Sequence, residues 1–193
     1  MGKNRLEMFS DGVIAIIITI MVLELRGPHE FSFEALQPLG PKLLSYVLSF
    51  VTIGIFWSHH HHLLHAVHHV NRAVLWANLH FLFWLSLIPS VTAWMGEHQF
   101  HRVPVAVYGA VVLMVGVSYR LLEQVLVKFH DKESMLARSV GQNLKAWFSF
   151  AAYAAAIPLA FVAEWLTMVI YFGVAALWLL PDKRLEGGAV EAD

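Results

Sequence analysis

The chain has 193 residues, of which 58% are hydrophobic and only 14% charged, with a formal net charge of -1 and a mean hydropathy of +0.61. A soluble domain is about a quarter charged, and one of this size could not hide so much apolar surface in a single core, so the excess must face lipid. The near-neutral balance argues against nucleic acid as a partner, and the absence of cysteine excludes disulfides and thiolate metal sites.

Six apolar segments follow one another along the chain. The first runs from Arg5 to Leu25 and starts too early, with Asp11 inside it, to be a cleavable signal. The second covers Leu43 to Trp57 and continues as helix through the histidines. The third is expected over Ala73 to Met95, the fourth over Val103 to Val127, the fifth over Leu144 to Ala163 and the sixth over Trp165 to Leu180. Each reaches or slightly misses the roughly 20 residues needed to cross the hydrocarbon core, and in lipid such segments must be helices that satisfy their own backbone. Gly27-Pro28 ends the first helix, Pro38 and Pro41 open the second, Pro158 should kink the fifth, and only Glu164 separates the fifth from the sixth. The fold class is therefore an all-α membrane protein with six transmembrane helices per subunit. Residues 1–182 form the membrane unit and 183–193 a short tail.

With the N-terminus inside, Lys3, Arg5, Arg72, Lys128, Lys132, Arg138, Lys145, Lys183 and Arg184 are internal, against Arg26, Lys42 and Arg102 outside. That bias and the even helix number place both termini in the cytoplasm.

The first helix carries unusual residues. Arg5, Ser10 and Asp11 sit where lipid will not solvate them, so Asp11 must point into the bundle and find donors on a neighbouring helix. Capping by Ser10 or Asp11 is the plainer alternative, but it leaves the rest of the segment unexplained. Steps of three and four give one stripe of Phe9, Gly12, Ile16, Thr19, Ile20 and Leu23. Such a stripe is ordinarily a packing face. Repeated about an axis, its branched side chains would instead form a hydrophobic constriction.

The pattern R-x-x-x-F-S-D-G-V-x-A-I, read at Arg5, Phe9, Ser10, Asp11, Gly12, Val13, Ala15 and Ile16, resembles the signature of the transmembrane protein 175 family of potassium channels. The likeness continues through Phe56-Trp57-Ser58-His59-His60-His61, Asn71-Arg72, Leu75-Trp76-Ala77-Asn78-Leu79 and Leu85-Ser86-Leu87-Ile88-Pro89, and it covers about residues 5 to 95. The resemblance implies a six-helix subunit whose first helix lines the central pore of a homotetramer. It also implies weakly selective, passive passage of potassium and other monovalent cations, with no catalysis and no cofactor. The membrane implied is the plasma (inner) membrane of a prokaryote.

The position matching the family's constriction is Ile16, with Ile20 and Leu23 one and two turns further out and Thr19 offering a hydroxyl beside it. Glu24 at the outer end would raise local cation concentration, unless it is simply a solvated helix-end residue. A polar clasp is expected to fix the pore helix. In it Asp11 and Ser10 accept from Trp57 and from His60 or His61, with Phe9 and Asn78 part of the same network and Arg5 holding the inner end.

The histidines His59, His60, His61, His62, His65, His68 and His69 offer i, i+4 pairs that suit metal ligands. The motif already accounts for His60 and His61, and no carboxylate lies among them in sequence, so no metal site is expected. Two rivals remain: a secondary transporter using Asp11 and the histidine tract for proton or metal coupling, and a membrane metal enzyme.

Overall fold

The computed structural model describes residues 2–27, 31–32, 34–65, 67, 70–129 and 144–180. Expectations for Pro28, His68, His69, Lys132, Arg138, Lys183, Arg184 and the tail 183–193 lie outside the described residues.

Among the described residues there are seven α-helices and no strand. Helix α1 spans Lys3–Leu23, and a short 3-10 turn at Glu34–Leu36 leads to α2, Leu39–His65. Helix α3 is Arg72–Ser86, α4 Ile88–Glu97, α5 Arg102–Phe129, α6 Leu144–Leu159 and α7 Glu164–Leu179. The third expected helix is thus two pieces. Pro89 at the second position of α4 has no N–H, and its ring collides with the carbonyl four residues back, so the ladder breaks at Leu87. Together α3 and α4 still make one span of 26 residues, Arg72–Glu97. Asn71 starts α3 by accepting the amide of Val74 at 2.9 Å. Pro158 falls inside the last turn of α6, one residue before its end at Leu159.

Four spans are long and apolar enough to cross a bilayer: Lys3–Leu23, Leu39–His65, Arg72–Glu97 and Arg102–Lys128. Helices α6 and α7 have 16 residues each, or about 24 Å at 1.5 Å per residue, which a locally thinned bilayer accommodates. Trp147, Val162 and Trp165 each stand more than half exposed. Lipid explains that exposure.

Three apolar clusters hold the helices. Leu6, Leu64, Val74 and Leu122 gather at the end of the bundle where the chain begins. Ile14, Ile17, Met21, Ile53, Phe81, Leu85 and Ile88 fill the middle of α1, α2, α3 and α4. Leu48, Met95, Tyr108, Tyr153 and Tyr171 join α2 and α4 to α5, α6 and α7. Helix α1 lies in the groove between α2 and the α3–α4 span; α2 also packs on α7, α3 on α5, and α6 on α5 and α7. Around the rim the order is therefore α1, α2, α7, α6, α5, α3, and back to α1.

Candidate functional site

Helix α1 has two faces. Leu6, Ser10, Ile14, Ile17 and Met21, spaced by three and four, are buried in the groove. Phe9, Gly12, Ile16, Thr19, Ile20 and Leu23 are all exposed, with Ile16 at 58% and Leu23 at 72%. The stripe found by spacing is the side of α1 that no other helix covers among the described residues. Thr19 Oγ1 donates to the Ile16 carbonyl at 2.9 Å, which leaves the oxygen's lone pairs directed outward.

The buried face is tied by polar bonds as well as apolar contact. Asn78 Nδ2 on α3 donates to Ser10 Oγ at 2.9 Å, and Ser10 Oγ donates to the Leu6 carbonyl at 2.9 Å. His60 Nε2 on α2 lies 2.7 Å from Asn78 Oδ1, with its ring stacked on Phe81. Ser10, His60 and Asn78 have no exposed surface. One helix over, Trp57 Nε1 donates to Asp11 Oδ1 at 2.9 Å. Asn78 thus links α1, α2 and α3, and among the described residues the hydrogen bonding of His60 reaches α1 through it.

Three members of the expected clasp sit elsewhere. His61 meets neither Ser10 nor Asp11; its Nδ1 lies 3.2 Å from Glu7 Oε1. Arg5 is exposed and makes no side-chain bond among the described residues, and Lys3 takes the anchoring place instead, donating to the His65 carbonyl at 2.8 Å. Phe9 points out on the open face, 48% exposed. Glu7 and Lys3 were missed in the sequence because their partners lie 54 and 62 positions away. Only the regular one-turn advance, which puts Glu7 on the side of Ser10 and Asp11, hinted at them.

At the far end of α1, exposed Glu24 shares a small cleft with Lys42, Tyr46 and Glu97. Lys42 Nζ pairs with Glu97 Oε1 at 3.4 Å, which makes Glu97 a second carboxylate in this cleft. Of the remaining histidines, His59 stands edge-on to Trp178 at 4.8 Å and His62 Nδ1 bonds back to the Ser58 carbonyl at 2.6 Å. Among the described residues, no three His, Cys, Asp or Glu side chains gather where a metal ion could sit.

The fold is that of a multi-pass helical membrane protein whose first helix is locked by buried polar bonds yet keeps one apolar face open. Residues 5–89 match the family described as "Endosomal/lysosomal potassium channel TMEM175". A potassium channel of Chryseobacterium sp. (strain P1-3) is 46% identical over 186 residues, covering 96% of this chain and 97% of that one. A potassium channel of Streptomyces collinus is 30% identical over 187 residues, covering 91% and 90%. The crystal structure of a lysosomal potassium-selective channel TMEM175 homolog from Chamaesiphon minutus superimposes with a TM-score of 0.77 at 25% identity, covering 92% of this chain and 96% of that one. This chain belongs to the TMEM175 family.

Proposed function

We propose that this chain is the subunit of a passive, potassium-favouring cation channel in which four copies set their α1 helices around a common axis. The observation that carries this reading is the open apolar face of α1, centred on Ile16. A single subunit has no use for a continuous uncovered stripe on the same helix whose other face is fixed by buried hydrogen bonds. Placed around an axis, Ile16 side chains form a ring without ligands. An ion crosses such a ring by shedding or squeezing its water shell, and potassium, which holds water less tightly than sodium, passes at lower cost. The outward lone pairs of Thr19 stand one turn away to replace some of the lost water. Ile20 and Leu23 extend the apolar lining, and Glu24 and Glu97 concentrate cations at the mouth.

The clasp of Ser10, Asn78 and His60, with Asp11 on Trp57, holds α1 at the rotation that turns Ile16 to the axis. The end of the bundle bearing Lys3, Arg5, Arg72, Lys128 and Lys145 faces the cytoplasm, since cytoplasmic ends collect lysine and arginine; Arg26, Lys42 and Arg102 lie at the other end. The membrane is the plasma membrane of a prokaryotic cell.

The test is ion flux through purified protein in liposomes, comparing the natural sequence with Ile16→Asn. The natural protein should pass potassium down its gradient faster than sodium, and Ile16→Asn should narrow that difference several-fold by offering ligands at the ring. Flux that needs a coupled proton or metal gradient would replace the channel with a transporter. Unchanged selectivity in Ile16→Asn would move the constriction away from Ile16.

A further inference from the structure

Two further apolar stripes are left uncovered, one on each side of α1. On α2, Leu43, Val47, Phe50 and Trp57 are spaced by four, three and seven residues, and all are 44% exposed or more. On the α3–α4 span, Trp76, His80, Phe83, Leu87, Ser90 and Trp94 alternate by four and three; all are exposed except Leu87, which is half-buried. This is the 3.5-residue repeat of helices that pack side by side over many turns. The rim order puts the first stripe between α1 and α7, and the second between α1 and α5.

The second stripe is ill-suited to lipid because of His80. Its side chain is exposed and has no hydrogen bond among the described residues, only an edge-on contact with Trp84. It lies eight residues into α3, about 12 Å from the helix start at 1.5 Å per residue, which is within the span. A polar side chain at that depth faces protein or water, since lipid leaves it unpaired. Asp11 is eight residues into α1, which starts at the same end of the bundle, so it lies at the same depth. Asp11 is only half-buried, and Trp57, exposed on the first stripe, is its one hydrogen-bond donor, on Oδ1. Oδ2 is left without a donor among the described residues.

We propose that the α3–α4 stripe of each subunit packs against the α2 stripe of the next copy of this chain, and that His80 donates across that contact to the Asp11 carboxylate beside Trp57. This rests on the channel reading above. A closed ring with α1 at its axis must mate the two flanks of α1 head to tail, one flank of each copy against the opposite flank of its neighbour. Rotation about the membrane normal keeps every residue at its own depth, so depths must match across the contact, and those of His80 and Asp11 do. Within the subunit, Ser49 bonds Thr92 and Lys42 pairs with Glu97, and these level pairs place Phe50 opposite the depth of Ser90. The clasp is then completed from outside, and the assembled ring adds to the hold that the subunit's own bonds have on the rotation of α1.

The chain has no cysteine, so introduced pairs report without background. The experiment is thiol cross-linking in native membranes, by oxidation and by a short bifunctional thiol reagent, of F50C/S90C, with L43C/W94C as a second pair. The expected result is a ladder of covalent dimers, trimers and tetramers for both double variants and monomers for every single variant. H80A should raise the protomer concentration at which the purified oligomer half-dissociates by about fivefold to tenfold, as loss of an interhelical hydrogen bond of about 1 kcal/mol at each contact does. D11N/H80A should go no further than the worse single variant. Single variants that cross-link to themselves, with ladders stopping at two, would mean two-fold pairing and overturn the proposal. An oligomer intact by mass that neither pair cross-links would overturn this contact and leave the channel standing. A monomer by mass that carries no flux would overturn both.

Discussion

Asn78 is where the clasp is most exposed to perturbation. Its Nδ2 donates to Ser10, so Oδ1 faces His60 and the His60 Nε2–H must be the donor there. Ser10 passes its own proton to the Leu6 carbonyl. Hydrogen bonding therefore runs one way, from α2 through α3 to α1. His60 Nδ1 has no partner, so the bond to Asn78 is the only one this fully buried ring makes among the described residues. Asn78→Leu, which keeps the branched shape at a larger volume, strands the Nε2–H and removes one bond from Ser10. A bare buried donor costs about 1–3 kcal/mol and a lost neutral bond about 0.5–1.5 kcal/mol. Interhelical polar pairs in membranes average nearer to about 0.6 kcal/mol, because the unfolded chain in lipid also finds partners. We therefore expect a loss of about 2 kcal/mol, toward the low end of the sum.

The discriminating variant is His60→Phe/Asn78→Leu. Replacing both partners with apolar groups removes the stranded donor, and the introduced phenyl ring keeps the stack on Phe81, which His60 makes at 5.5 Å and 12°. Ser10 still donates to Leu6. The double variant should recover roughly 1 kcal/mol or more over Asn78→Leu alone. Reversible unfolding of the purified protein in mixed micelles measures both. Asn78→Leu as stable as the natural protein, or a double variant less stable than Asn78→Leu, would refute the one-way chain of donors.

Two other substitutions test the mouth and the core. Glu24→Gln should lower potassium conductance at low salt, by about twofold or less for one exposed charge per subunit. The difference should vanish at about 1 M salt, where the Debye length is about 3 Å; a salt-independent loss in single-channel recording would contradict an electrostatic role. Gly109→Ala should cost about 2 kcal/mol or more, because the new methyl overlaps the hydroxyl of buried Tyr171, which donates to the Val105 carbonyl. Gly173→Ala, with nothing within 4 Å, should leave the melting temperature unchanged or raise it.

Much of this architecture is legible in the order of the amino acids. Runs of apolar residues place the spans to within a few positions, and the three-and-four spacing from Phe9 to Leu23 picks out the face of α1 that stays open. Ile88-Pro89 announces the break between α3 and α4 as well, since a proline so near a helix start reads as a start; a span counted as one run hides it. What spacing cannot supply is the partner. Periodicity says which side of α1 Glu7 occupies, but nothing near it in the chain points to His61. Likewise Ser49, Thr92 and Tyr108 are three scattered hydroxyls until α2, α4 and α5 bring Ser49 to within 2.6 Å of Thr92 and 3.3 Å of Tyr108. Arg5 misleads for the opposite reason. It belongs to a recognisable pattern, yet it is exposed, and Lys3 makes the tie to α2.

The division of α1 into a tied face and an open face sets how tightly its rotation must be held. Each residue turns the helix by about 100°, so Ser10 and Ile16, six positions apart, lie about 120° from each other around the axis. Ile16 and Ile17 are chemically alike, but one is 58% exposed and the other 4%. Apolar burial alone would distinguish their placement weakly, because a turn of one position trades one isoleucine for another and costs little in area. Hydrogen bonds are directional. Turning α1 by one position would carry Ser10 away from Asn78 and Asp11 away from Trp57 together, stranding partners on α3 and α2 at once. Polar residues inside the membrane therefore do for α1 what its apolar residues cannot, which is to decide which of two neighbouring isoleucines faces outward.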